Sequence, residues 1–211
     1  MECYKLQQRG KQNWLNSIKI ILDNFGFQEV WNNCGTTQQN KYMYQLECSL
    51  KSRYEKLWLE RLNSEDEHNK LRTYCKFKTC FQSENYLSTF KNFDKRCFFT
   101  RLRTSSHDLH IETGRYTRPV KTPISNRLCS HCNLDKIEDE FHVVMKCTLY
   151  EHLRNMLFTN LKNFCLFDHL LDENTQFLFL MSAGNGDSEV SDLVINFISE
   201  IWAKRKEIQN I

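Results

Sequence analysis

Apolar residues recur along most of this chain at steps of three and four, the period of a helix face. Trp14, Leu15, Ile18, Ile21, Leu22 and Phe25 form the first stripe, and Gly26 stands where a helix end uses a positive φ. The polar run 32–40 predicts a loop, followed by a long helix from about Thr37 to Leu62 with Leu46, Leu50, Tyr54, Leu57 and Trp58 on its apolar side. Ser64 and Glu67 have capping-box spacing and predict a helix running through Leu71 and Tyr74. Phe90, Phe93, Cys97, Leu102 and Leu109 predict another, ending near Gly114, with Arg96, Arg103, His107 and His110 along one face. Ile137 to Lys146 reads as helical, with Glu138, Asp139 and Glu140 in its first turn, where the positive end of the helix dipole favours acids. Thr148 and Glu151 form a second capping-box pattern before the stripe Leu153, Met156, Leu157, Leu161 and Phe164, and Gly184 and Gly186 mark a turn. The last stripe is the most regular: Val190, Leu193, Val194, Phe197, Ile198, Ile201 and Trp202.

The fold class expected is therefore mainly α: a helical N-terminal part, a small knuckle whose Cys129, Cys132, His142 and Cys147 suit zinc, and C-terminal helices. Six Gly and two Pro in 211 residues agree with that, because a β fold with many tight turns needs more of both. Both prolines, Pro119 and Pro123, fall in the basic stretch 114–127, which predicts a linker. The expected organisation is a helical region 1–113, a basic linker 114–127, a zinc-binding motif with the start of the next helix at 128–154, and a C-terminal helical region 155–211. No apolar run approaches the roughly 18 residues that span a bilayer. The first residues lack a signal-peptide apolar region, so an intracellular chain, nuclear or cytoplasmic, with reduced thiols is expected and no membrane partner. Of the ten cysteines, three fall in the motif at 129–147, and most of the other seven, Cys3, Cys34, Cys48, Cys75, Cys80, Cys97 and Cys165, are expected as buried free thiols.

Charge adds a second organisation. Residues 91–127 hold 9 Lys/Arg against 3 Asp/Glu, whereas residues 128–211 hold 7 against 13. A basic block followed by an acidic segment can present a polyanion with one favourable face.

The sharpest chemical signal is Cys129-x2-Cys132-x9-His142-x4-Cys147. Three thiolates and one imidazole complete a tetrahedral set for one zinc ion and leave no open position for a reacting water, which points to a structural site. His131, between the first two thiols, is the rival imidazole, and its use would leave Cys147 without a partner. His107, His110 and Glu112 are a weak second cluster, better read as packing. No phosphate-binding loop, no Gly-x-Ser-x-Gly elbow and no paired aspartates after an apolar strand are present, so no enzyme is expected.

The stretch 105–154 resembles the C-terminal region of reverse transcriptases from non-LTR retrotransposons, especially the jockey-like elements. The likeness rests on Ser106-His-Asp-Leu-His-Ile-Glu-Thr-Gly-Arg115, Arg127-Leu-Cys-Ser-His-Cys132, Ile137-Glu-Asp-Glu-Phe-His142, Cys147, Tyr150 and Leu153-Arg154. Leu71-Arg-Thr-Tyr-Cys-Lys-Phe77 and Glu84-Asn-Tyr-Leu87 are similar to the segment upstream of it in that family. The resemblance implies a CCHC zinc motif that assists nucleic-acid binding beside a polymerase. The polymerase and endonuclease parts have no counterpart here, so a truncated or degenerate copy, or a separate tail, is expected, and no catalytic residue is carried over.

The leading expectation is a zinc-stabilised module that binds RNA or single-stranded DNA. Lys95, Arg96, Arg101, Arg103, Arg115, Arg118, Lys121 and Arg127 would neutralise phosphates, and Tyr116 would stack on an unpaired base. The alternatives are a structural or protein-interaction zinc module and a fragment without function.

Overall fold

The computed structural model describes residues 5, 9–32, 39–64, 69–164, 172–182, 186 and 188–209. The architecture is mainly helical. The chain divides into two compact units, 1–61 and 62–211. Among the described residues no helix is long and apolar enough to cross a membrane.

In the first unit α1 spans Trp14–Asn24. The Asn13 carboxamide oxygen accepts from the Leu15 amide at 2.9 Å, and Asn16 returns the bond to the Asn13 amide at 2.8 Å. At the other end Gly26 has φ +78°, and the amides of Phe27 and Gly26 donate to the carbonyls of Leu22 and Asp23. That is a Schellman closure, which requires the left-handed residue expected at Gly26. The short α2, Gln28–Asn32, packs back on α1. A long α3 occupies Gln39–Leu62. Periodicity located these helices but not their burial: Leu22 is the buried residue of α1, whereas Trp14 (61% exposed), Ile18 and Ile21 of the same stripe face outward.

The second unit holds the core. Here α4 is Tyr86–Thr89, α5 Phe93–Arg103, α6 His110–Thr113, α7 Glu151–Phe164, α8 Glu173–Ser182 and α9 Ser188–Gln209. The predicted stripe of α9 is buried except for half-buried Leu193, with Ile195 widening it, and α9 packs against both α5 and α7. Phe99 and Leu102 of α5 and Leu157 and Leu161 of α7 join the same apolar cluster.

Four expectations are corrected in this unit. The helix expected to end near Gly114 stops at Arg103: Ser105 takes φ +50°, so the chain turns and restarts as α6. His107 and His110 therefore share no helix face with Arg96 and Arg103. Residues 70–73 form turns before a 3₁₀ turn at Tyr74–Lys76, not a continuous helix, and residues 65–67 of the proposed capping box lie outside the described residues. The same holds for Gly184. The stretch 114–127 does not separate two bodies. Gly114, Arg115 and Arg127 are buried, the Thr122 amide closes onto the Gly114 carbonyl at 3.0 Å, and the division of the chain falls after Arg61. Finally, Cys48 and Cys80 are exposed and Cys75 and Cys97 half-buried, where buried thiols were expected; Cys3, Cys34 and Cys165 lie outside the described residues.

Candidate metal centre

The metal motif begins in a loop that the backbone closes on itself. Leu128 and Ile137 pair as an antiparallel bridge, the Cys129 amide donates to the Lys136 carbonyl at 2.8 Å, and Asp135 supplies a turn with φ +49°. This tight turn brings Cys129 and Cys132 to one side. Asp139 then caps the next turn, its Oδ1 accepting from the His142 amide at 2.7 Å.

His142–Lys146 is a π-type turn rather than the expected α-helix, and the Cys147 amide reaches the His142 carbonyl at 2.7 Å. Its geometry matters for the site. Residues five apart on an α-helix lie about 140° apart around the axis. The wider turn places them closer to one face, and such bulges recur at functional sites. Thus His142 and Cys147 meet the cysteine loop together.

Cys129 Sγ lies 3.9 Å from Cys147 Sγ, and Cys132 Sγ lies 3.3 Å from His142 Nε2. All four donor atoms are within 4.8 Å of one another. Zinc–sulfur bonds of about 2.3 Å and zinc–nitrogen bonds of about 2.0 Å give a tetrahedron with edges of roughly 3.5–3.8 Å. The Cys129–Cys147 and Cys132–His142 separations lie near such edges, and the four donors are compatible with a single ion. His131 is not among them; its Nε2 faces Glu138 Oε1 at 3.8 Å.

Burial sets the electrostatics. Cys129, His142 and Cys147 are buried and Cys132 is half-buried. Burial first, then the neighbouring Cys147 and Glu138, pushes the Cys129 thiol up to about 12, and burial also raises Cys147. The same desolvation lowers His142, so its imidazole is neutral and ready to donate a lone pair. A divalent cation would stabilise such thiols as thiolates, so the donor set suits a metal ion such as zinc.

Sequence reasoning missed the ionic frame around this site. Glu138 and Glu140, read as helix-dipole acids, are 2% and 1% exposed; Glu138 lies outside any helix and Glu140 starts the short helical turn that widens into the π-type turn. Glu138 accepts from Arg205 at 2.6 and 3.1 Å and from the His110 amide at 2.7 Å. Glu140 accepts from Ser105 at 2.6 Å, meets His107 Nε2 at 2.8 Å, and pairs with Arg72 at 2.6 Å. Burial pushes the Glu140 carboxyl up, but His107, Arg72 and Ser105 outweigh it and hold it at about 2. Arg72 bridges Glu140 to Glu112, and Arg154 donates to the Cys147 carbonyl at 3.2 Å. A signal was available for Arg205, which continues the buried series Ile198, Ile201 and Trp202 at helical spacing.

The residues expected to bind phosphates separate into two groups. Arg103, Arg115 and Arg127 are corrected: all three are buried. Arg103 is 1% exposed, pairs with Glu84 at 3.0 Å and sits among the rings of Tyr74, Phe77, Tyr86 and Phe99. Arg115 pairs with Glu112 at 3.2 Å, and Arg127 donates to the carbonyls of Thr122 and Ile111. Lys95 and Arg96 are half-buried; Lys95 bonds Asn196 and Arg96 bonds the carbonyls of Leu87 and Phe90. Arg101, Arg118 and Lys121 are exposed. Tyr116 is 62% exposed, with Lys70 Nζ 5.8 Å from its ring. The second cluster dissolves: His110 Nδ1 faces the Leu128 carbonyl, and Glu112 serves Arg72 and Arg115.

Comparison with known protein families, curated proteins and solved structures finds no match to this chain.

Proposed function

We propose that the second unit is a zinc-stabilised module that binds RNA or single-stranded DNA. The observation that carries this reading is the loop 116–121. Its backbone is anchored by buried Arg115 at one end, yet it exposes Tyr116, Arg118 and Lys121 together beside Lys70. Exposed aromatics among cations suit unpaired bases and their phosphates, and no sequence readout is implied because phosphate contacts carry none. Zinc would be held by Cys129, Cys132, His142 and Cys147 and would fix the loop rather than react. The likeness to the tail of non-LTR retrotransposon reverse transcriptases supports the same partner class.

The test is binding of a single-stranded oligonucleotide across a salt series. With about four phosphates neutralised, the log–log slope is about −3 for a single strand. Arg118→Glu with Lys121→Glu weakens binding at least tenfold and flattens the slope, with zinc content unchanged. A wild-type slope near zero refutes the reading. A protein-interaction role is the second reading, favoured by Met43, Tyr44, Tyr54, Leu57 and Leu59, which are exposed on α3; the Arg118/Lys121 double variant leaves that role intact.

A further inference from the structure

Opposite in kind to the metal site is a cleft of about 350 Å³ in the second unit, between the end of α5, the turn 104–109 and the C-terminal half of α9. Its size lies within the roughly 300–1,000 Å³ of small-ligand pockets. Phe98 and Trp202 supply apolar wall, and the His107 ring lies 6.1 Å from that of Trp202 at a tilt of 34°. The rim is cationic. Arg101 and Lys206 are both exposed there, and among the described residues neither is paired with a carboxylate. Lys206 Nζ is fixed 5.0 Å from the centroid of the Phe98 ring, so its charge is held at the mouth. Ser106 adds an exposed hydroxyl. The one acid in the lining, Asp108, is partly offset by Arg205 Nε at 3.6 Å, and Arg205 is itself committed to Glu138.

Two cations without a carboxylate partner among the described residues, over an aromatic-walled cleft, match a ligand with a phosphate at one end and a flat ring at the other. A bare anion would leave the apolar wall unused, and an apolar ligand would leave Arg101 and Lys206 without purpose. We propose that this cleft holds one unpaired nucleotide of a bound strand, with its phosphate between Arg101 and Lys206 and its base against Phe98 and Trp202. The inference deepens the nucleic-acid reading above and rests on it. The cleft is lined by none of the residues of the 116–121 loop, so the two surfaces can be perturbed independently.

Calorimetric titration of the zinc-loaded full chain separates the possibilities, with uridine monophosphate, inorganic phosphate and a single-stranded oligonucleotide as probes. The expected result is that the mononucleotide binds and inorganic phosphate does so at least tenfold more weakly. Arg101→Glu with Lys206→Glu then abolishes mononucleotide binding and weakens the oligonucleotide at least tenfold, with zinc content and urea midpoint unchanged. Equal binding of inorganic phosphate and mononucleotide overturns the nucleotide assignment. Undiminished oligonucleotide binding by the double variant overturns the cleft while the loop reading stands. Mononucleotide binding without any oligonucleotide binding overturns the strand and leaves a free nucleotide as the ligand. No binding of either nucleotide probe by the wild type overturns both readings.

Discussion

Glu138 ties the metal loop to the terminal helix, and Glu138→Gln measures what that tie contributes. The carboxylate is 2% exposed and receives two guanidinium bonds from Arg205 and one amide bond from His110. Glutamine keeps the volume but offers one acceptor oxygen where two were used, so at least one donor is orphaned. The larger loss is the charge. Arg205 is 4% exposed, and its remaining acidic neighbour is Asp108, at 3.6 Å. Breaking a buried pair on one side costs about 3–5 kcal/mol, because the surviving charge is left in a poorly solvating site. Against a total stability of about 5–15 kcal/mol that is a large fraction. With a urea slope of about 2 kcal/mol/M, the midpoint of the zinc-saturated protein drops by about 2 M. Arg205→Met removes the partner, so the double variant is less destabilised than the two single losses together predict, with a coupling of about 1–3 kcal/mol. A loss below about 1 kcal/mol for Glu138→Gln, or strict additivity in the cycle, refutes an energetic tie between the metal loop and α9.

Three further outcomes follow from the same geometry. Cys132→Ser loses the ion and unfolds at least 127–154, because zinc binding of such sites is coupled to folding with about 10–16 kcal/mol of apparent free energy; elemental analysis and circular dichroism with and without chelator check this, and a folded metal-free variant contradicts it. Cys129 and Cys147 are held protonated by burial in the absence of metal; the ion must displace at least those two protons, so its apparent affinity falls about a hundredfold or more per pH unit on acidification from pH 8 to 7, and an affinity flat over that range refutes the thiolate assignment. Gly114→Ala places a Cβ 2.8 Å from Cγ, Cδ and Nε of Arg127, a side chain already pinned by two carbonyls; the expected cost is about 1–3 kcal/mol by urea unfolding, and a neutral substitution shows that Arg127 yields.

The long helices at the two ends of the chain and the four metal donors were legible because each depends on a local period or spacing: α9 by its stripe, the first helix end by Gly26, the site by Cys-x2-Cys and His-x4-Cys. What escaped depends on partners distant in sequence. Arg103 looked like one cation of a basic run, yet Glu84 and four aromatic rings enclose it; Arg127 looked like the end of a linker, yet the Ile111 carbonyl receives it. Charge counting treats every Lys and Arg as solvated, and that assumption fails where an acid 19 residues away for Arg103, or 67 for Arg205, is buried with it. The same failure changes how the basic block 91–127 acts. Its buried arginines shape the scaffold, and only the cations left outside, Arg101, Arg118 and Lys121 among those foreseen, can meet a polyanion. The π-type turn has a similar origin. A spacing of five between His142 and Cys147 is poor for an α-helical face; the wider turn, with Arg154 on the Cys147 carbonyl, brings both donors to the cysteine loop where local propensity alone suggests an α-helix.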